Sequence, residues 1–589
     1  MFKNQYFVYQ IKTMVIKMNE QKAKTYPSTA RPWLKYYNDE VFKSRLPECT
    51  IYENLRKNNN EHLSDVALEY FGKKVTYGQL IDNIEKAACA FAALGVREGD
   101  IVTLCSLTVP ETIYSLYALA KIGAICNIIE PRVNAQSIAD RINSTDSKVL
   151  VILDVFYNKI KDYQICAKHT IISSIADTMP IVTRVGFQLT KGRDIPSVKY
   201  TDCVITWRQF IHLGESIDKV TQVSYRKTLP VAIVYTSGTT GTPKGAMLSH
   251  DGLNAIAHQY KFIPHERKER FLNIMPPFIA YGLACGIHMP LSLGLTMVII
   301  PAFDPKKFDE YIIKLRPNSL MGVPAHFDCL IKSKKIENVD LSFLKIAAMG
   351  GDVLNNEMEK AIEDFLKIHH SESGVYKGYG MTEMSSASAA LSPLTGNRLG
   401  SIGIPFPYNV ISIFEPGTDR ELEIGEQGEI CITGPSMMLG YYHNEQETNN
   451  VLRRHADGKL WAHTQDIGYM DEDGFLYFVD RIKRIIIRPD GHNVWPSQIE
   501  NILLKHSEVQ SCAVVGLPNP GSKNGKIPTA FVVKKHDSIM DEKTLEDELR
   551  YLSHSKLPER DCAMEYQFCD ALPYTSVGKV DYRALEQCK

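Results

Sequence analysis

Hydrophobic residues along this chain fall into short β-branched runs separated by helical repeats. Thr76-Tyr77-Gly78-Gln79-Leu80 opens a segment in which Leu80, Ile84, Ala87, Ala88, Phe91 and Leu94 share one side, the 3.6-residue spacing of an amphipathic helix. Gly95 ends it, and Ile101-Val102-Thr103-Leu104-Cys105 follows as a strand. Helices over 110–121 and 134–142 and strands over 124–129 and 149–153 continue the alternation. Strand–helix–strand units at this spacing predict a parallel sheet with right-handed crossovers.

The same pattern resumes downstream. Val231-Ala232-Ile233-Val234 is a buried strand, 251–260 a helix, and Met275-Pro276-Pro277-Phe278 a turn leading into an apolar helix that ends near Leu293. Strands are expected over 296–300, 320–324, 344–350 and 375–378. From Ile411 the character shifts to short β pieces with turns, including 428–434 and 474–479. Beyond Ile482 the order is helix 496–505, strand 509–515, strand 529–533 and helix 545–552, a small α+β module. Residues 27–60, punctuated by Pro27, Pro32 and Pro47, read as an irregular arm, and 177–200 fits no element and reads as an insertion. A chain of 589 residues exceeds one hydrophobic core. The expected division is an N-terminal arm over 1–50, partly disordered; a large α/β domain of parallel and mixed sheets with helices over 51–480; and a small mobile α+β domain over 481–589.

Composition narrows the function. Hydrophobic residues at 44% and charged residues at 23% are ordinary for a globular protein. A formal net charge of -1 without a basic block argues against nucleic acid. Thirteen cysteines, scattered without a Cys-x-x-Cys pair, suit free thiols in a reducing cytoplasm better than a disulfide frame or a cysteine zinc site. The most apolar stretch, 113–129, is broken by Lys121 and Gly123 and is too short to span a bilayer. Residues 1–24 lack a signal-peptide core, and Met18 is an expected alternative start.

Candidate chemistry begins at 235–250, Tyr-Thr-Ser-Gly-Thr-Thr-Gly-Thr-Pro-Lys-Gly-Ala-Met-Leu-Ser-His. Glycines let backbone N–H groups turn inward, hydroxyls add donors and lysine adds a compact charge, which suits a polyphosphate. No Gly-Lys-Ser/Thr opens a helix here, so the loop is not a Walker A motif. The stretch Thr-Ser-Gly-Thr-Thr-Gly-x-Pro-Lys-Gly resembles the phosphate loop of the adenylate-forming (AMP-binding) synthetases, whose fold pairs a large α/β domain with a small mobile lid.

Four further stretches resemble that family in order, so the resemblance covers roughly residues 50–589. Gly378-Tyr379-Gly380-Met381-Thr382-Glu383 resembles its Tyr-Gly-x-Thr-Glu motif. Trp461-Ala462-His463-Thr464-Gln465-Asp466 resembles Thr-Gly-Asp, with Gln465 where a glycine is usual. Val479-Asp480-Arg481-Ile482-Lys483-Arg484 resembles the interdomain junction, and Leu572-Pro573-Tyr574-Thr575-Ser576-Val577-Gly578-Lys579 the C-terminal lysine motif. After the junction a proline lengthens the loop at 488–491 by one residue.

The resemblance implies roles for particular residues. Thr236, Ser237, Gly238, Thr239, Thr240, Gly241 and Lys244 would hold ATP phosphates. Gly351, Asp352, Tyr379, Gly380, Asp466 and Arg481 would hold adenine and ribose. Glu383 would bind Mg²⁺ beside the catalytic Thr382, Lys483 would be the hinge, and Lys579 the catalytic lysine. Ile279, Ala280, Tyr281, Met349 and Gly350 would line an apolar acyl pocket, without an aspartate to catch an α-amino group. The implied activity is that of an acyl-CoA synthetase acting on a fatty or aromatic carboxylic acid with ATP and coenzyme A. The alternatives are an adenylation enzyme loading a separate acyl carrier protein, and a nucleotide-binding regulator with degraded catalysis.

Overall fold

The structure, a computed structural model, describes residues 25–236, 243–490, 492–518, 525–536, 538–574 and 580–587. Local sequence explains many boundaries. The helix Tyr77–Ala93 starts on a capping box, in which the Thr76 hydroxyl accepts from the Gln79 N–H and the Gln79 side chain accepts from the Thr76 N–H, satisfying two N-terminal donors at once. The helix Pro110–Ile122 begins with proline and ends at left-handed Gly123, φ 79°. All of its residues are buried, which accounts for the apolar run over 113–129. Among the described residues, no helix is long and apolar enough to cross a membrane.

Two large sheets carry the molecule. The first has eight strands, in the order Gly440–Tyr441, Lys244–Ser249, Pro230–Thr236, Ile125–Ile128, Ile101–Cys105, Val149–Leu153, His169–Ser173 and Val204–Thr206. The last six run parallel, and the first two pair antiparallel at one edge. The second sheet has fourteen strands. Val66–Tyr70, Thr296–Ile299, Arg270–Asn273, Ser319–Gly322, Ile346–Gly350 and Val375–Met381 form its parallel half. From Ser386–Ala390 onward, through Ser401–Pro405, Leu476–Arg481, Leu460–Met470, Gly428–Thr433 and Val410–Phe414, the pairing is antiparallel. The change of direction falls at the turn Thr382–Met384. Beyond Arg481, a two-stranded hairpin (Ile486–Ile487 with Asn493–Val494) and a three-stranded sheet (Val509–Pro518, Lys526–Lys534, Glu565–Phe568) pack with the helices Pro496–Leu503 and Glu542–Lys556 around a separate core.

Two expectations need correction. The described part of the arm is ordered into helical turns, Pro27–Ala30, Pro32–Tyr36 and Asp39–Lys43, followed by the helix Ile51–Asn59. Trp33 is fully buried, and the Tyr37 hydroxyl donates to the Pro405 carbonyl at 2.9 Å. Two of the three prolines that suggested irregularity, Pro27 and Pro32, occupy first helical turns, where a missing N–H costs little. Residues 177–200 contain a helix, Ile181–Leu189, and a 3₁₀ turn, Lys191–Asp194. None of that helix is fully buried, and Gly186 inside it weakens the sequence signal.

Candidate active site

The glycine-rich stretch connects two antiparallel strands. Thr236 pairs with Lys244 at the mouth of the hairpin Pro230–Thr236/Lys244–Ser249. Ser237, Gly238, Thr239, Thr240 and Gly241 lie outside the described residues, as does Lys579. Lys244 does not stand free above the loop. Its ammonium forms an ion pair with Glu447 and sits 5.2 Å from the Tyr441 ring centre.

Tyr441 belongs to the short edge strand Gly440–Tyr441, paired with Lys244–Ser249. Its hydroxyl donates to Glu383, whose backbone carbonyl accepts the Met438 N–H at 2.8 Å. Glu383 lies in the turn Thr382–Met384, at the carboxyl end of Val375–Met381, the usual position for ligands on a parallel sheet. Burial raises the Glu383 carboxyl above its ordinary pKa; the Tyr441 bond and the Lys244 charge pull in the opposite direction. Backbone geometry here is unusual: Ser385 and Ser386 have φ of 56° and 138°, where serine is strained. Gly380 is required by close approach, because a Cβ there would lie 1.8 Å from the Ser386 carbonyl oxygen.

A second group converges beside the first. Asp466 stands in the strand Leu460–Met470 and is the cross-strand partner of Arg481. The Arg481 Nε donates to its carboxylate at 3.2 Å, and the Tyr379 hydroxyl donates at 2.8 Å. Asp466 thus holds a strand position with these two side-chain donors on its carboxylate. Gln465 adopts φ 61°, the left-handed conformation that glycine tolerates best, and its N–H is held by the Glu429 carboxylate at 2.9 Å. Gly351, φ 80°, and Asp352 follow the strand Ile346–Gly350 at the same sheet edge, with Gly350 opposite Gly378.

The junction reaches this cleft. Lys483 lies in the 3₁₀ turn Ile482–Arg484, and its pKa is lowered by burial and by Lys244, with Glu447 opposing. Arg484, whose sequence suits a basic surface hairpin, is instead mostly buried. It pairs with Glu500 at 2.6 Å and lies 3.9 Å over the Tyr582 ring. Of the lengthened loop at 488–491, Gly491 lies outside the described residues; on either side of it Ile486–Ile487 pairs with Asn493–Val494, and the Arg488 N–H donates to the His492 carbonyl at 2.9 Å.

The candidate acyl residues lie along a seam. Ile279 and Tyr281 pack against both large hydrophobic cores, while Ala280 belongs to one and Met349 to the other. The helix begun at Tyr281 is a π-helix through His288, a form concentrated at functional sites. Tyr441, Glu447 and Glu429 were missed by sequence reasoning. Each joins the candidate site only through a partner 58, 203 or 36 residues away.

Comparisons with known proteins identify the family. The model of the AMP-binding enzyme family matches residues 55–442, and that of the AMP-binding enzyme C-terminal domain matches 498–579. A long-chain-fatty-acid–CoA ligase of Bacillus subtilis (strain 168) is 30% identical, covering 94% of this chain and 97% of that protein. A probable 4-coumarate–CoA ligase of Dictyostelium discoideum is 29% identical, covering 96% and 98%. Among solved structures, a benzoate CoA ligase from Burkholderia xenovorans LB400 superposes with a TM-score of 0.76 at 19% identity, over 92% of this chain and 100% of that one. With both domain models matched in order and a relative aligned nearly end to end, the chain belongs to the AMP-binding enzyme family.

Proposed function

We propose that the chain is an AMP-forming acyl-CoA synthetase for a fatty or aromatic carboxylic acid. The observation that carries this reading is convergence: Glu383 and the Asp466–Tyr379–Arg481 group of the fourteen-stranded sheet meet Lys244 and Tyr441 of the eight-stranded sheet, beside the junction bearing Lys483. The relatives named as CoA ligases support coenzyme A as acceptor.

In the first step a carboxylate oxygen attacks the α-phosphorus of ATP, the bond to the bridging oxygen breaks and pyrophosphate leaves. Both reactants are anions, so the site must supply positive charge and alignment rather than a base. Thr236, Lys244 and the loop between them would cradle the β- and γ-phosphates. An incoming phosphate would compete with Glu447 for Lys244. Asp466 would accept from the ribose hydroxyls, with Tyr379, Gly380, Gly351 and Asp352 around the adenine. Lys579 would contact the α-phosphate and the carboxylate, with Thr382 beside them.

Glu383 fits a magnesium ligand: it offers a hard oxygen donor held in place by Tyr441, and a cation there would favour its ionised form. Magnesium bound there would neutralise charge on phosphate oxygens. In the second step the coenzyme A thiolate attacks the acyl carbon and AMP leaves. An ordinary thiol titrates near about pH 8.5, so part of it is thiolate at neutral pH without a dedicated base. Lys483 would be the hinge between the two steps. The free cysteines among the described residues accord with a cytoplasmic setting, which belongs to the same proposal.

The test is ATP–pyrophosphate exchange across a panel of fatty, aromatic and amino acids, with and without coenzyme A. Exchange with fatty or aromatic acids and thioester formation on adding coenzyme A is expected. Exchange without thioester would shift the acceptor to a carrier protein, and no exchange with any acid would overturn catalysis.

A further inference from the structure

We propose that Asp419, His455 and His463 form a binding site for a divalent transition-metal ion of the zinc class, set in the antiparallel half of the large sheet. The three residues come from two neighbouring hairpins. His455 begins the turn between Leu452–Arg454 and Leu460–Met470, His463 lies on the second of those strands, and Asp419 lies in the turn between Val410–Phe414 and Gly428–Thr433. The two Nε2 atoms are 2.8 Å apart, and His455 Nε2 is 3.5 Å from Asp419 Oδ1. All three ligand atoms lie within 4.8 Å of one another. Tetrahedral zinc with bonds of about 2.0–2.1 Å places its ligand atoms roughly 3.3 Å apart, inside that range.

The surroundings are those of a built site. His463 Nδ1 is 2.9 Å from Glu429 Oε2, so the hydrogen-bond network assigns its proton to Nδ1 and leaves Nε2 bare. A carboxylate behind a ligating histidine is the usual outer support of such sites. His455 is held between the Phe414 ring, 4.7 Å away edge-on, and the Trp461 ring, stacked at 5.8 Å. Its Nε2 faces His463 and Asp419, and its Nδ1 is buried with no partner among the described residues. A cavity of about 570 Å³, bordered by Ser28, Arg31, Phe414, Asp419 and His455, opens onto two of the three ligands and leaves room for a water as fourth ligand. Cys431 is not the fourth ligand: it is buried and lies 3.5 Å from the Nδ1 already taken by Glu429.

Two imidazoles and one carboxylate suit zinc, cobalt or nickel and are too nitrogen-rich for magnesium. The site also has a route to the nucleotide cleft. The other Glu429 oxygen accepts the Gln465 N–H, so a metal on His463 would fix the left-handed residue that precedes Asp466.

The test uses the full chain, stripped with chelator and titrated with Co²⁺ alone. One equivalent should bind with visible bands of tetrahedral nitrogen–oxygen ligation and no thiolate charge-transfer band, and Mg²⁺ should not compete. Glu429→Gln should weaken binding roughly 10- to 100-fold, and His455→Gln should abolish it. Asp419 is half-exposed, so Asp419→Asn leaves the fold intact and should weaken binding about tenfold or more even where the buried variants fail to fold. Zn²⁺ should raise the melting temperature of the wild type and not that of Asp419→Asn. Absence of stoichiometric binding, a thiolate band, or unchanged affinity in Asp419→Asn would overturn the site.

Discussion

Tyr441 donates to Glu383 and lies beneath Lys244, so one side chain fixes two charges of the cleft. Tyr441→Phe keeps the ring under the lysine and removes only the donor. Leaving a buried carboxylate without that bond costs about 1–3 kcal/mol, so kcat/KM for adenylation should fall roughly 10- to 100-fold. A steady-state assay checks this, and a change below about threefold would show that Tyr441 does not position Glu383. Gln465 is the complementary case at this scale. A non-glycine residue in the left-handed region is held there by the Glu429 carboxylate, so a departure from the family's glycine retains the position of Asp466.

The π-helix Tyr281–His288 depends on Gly282, where a Cβ would lie 1.9 Å from the Pro276 carbonyl oxygen. Gly282→Ala should destabilise the large domain by about 3 kcal/mol, the upper end for overpacking; an unchanged melting temperature would contradict this contact. The helix Pro110–Ile122 carries a second test. Glu111, fully buried and bonded by the Thr178 hydroxyl at 2.5 Å, has its carboxyl pushed up to about 8 by burial. An unfolded glutamate titrates near about 4.3, so the folded state holds an extra proton between these values. The stability it contributes is therefore present at low pH and lost as pH rises through 8. Glu111→Gln, which retains an acceptor for Thr178, should remove that slope and gain up to roughly 5 kcal/mol at pH 8 relative to wild type. Denaturation midpoints from pH 5 to 8 measure it, and parallel curves would contradict it. Elements with clear periodicity, such as Tyr77–Ala93 and Ile101–Cys105, were legible in the sequence. Ser386–Ala390, built from serine and alanine, was not, because its strand character comes from its neighbours in the sheet. The helix Ile181–Leu189 was obscured by Gly186, and the arm by helix-starting prolines.

At the scale of the whole molecule, five ordered motifs span most of the chain, which is why the family was readable while the couplings between motifs were not. The Lys244–Glu447 and Tyr441–Glu383 contacts join residues 203 and 58 positions apart. Asp480, which accepts the Ser497 N–H at 2.9 Å and lies 3.7 Å from the Arg484 guanidinium, ties the strand Leu476–Arg481 to the C-terminal module. If that module brings Lys579 to the first step only, Lys579→Ala should lower adenylation by about 10²- to 10³-fold. Thioester formation from supplied acyl-adenylate should largely survive, and equal loss of both steps, read by separate single-turnover assays, would contradict the division of labour. The most direct measurement is oxygen transfer from an ¹⁸O-labelled carboxylic acid, with ATP, coenzyme A and the wild-type chain. Attack of the carboxylate on the α-phosphorus, followed by thiolate attack on the acyl carbon, places one labelled oxygen in AMP. Label in AMP at one atom per thioester formed is the expected result; label in inorganic phosphate, or unlabelled AMP beside acyl-CoA, would contradict it.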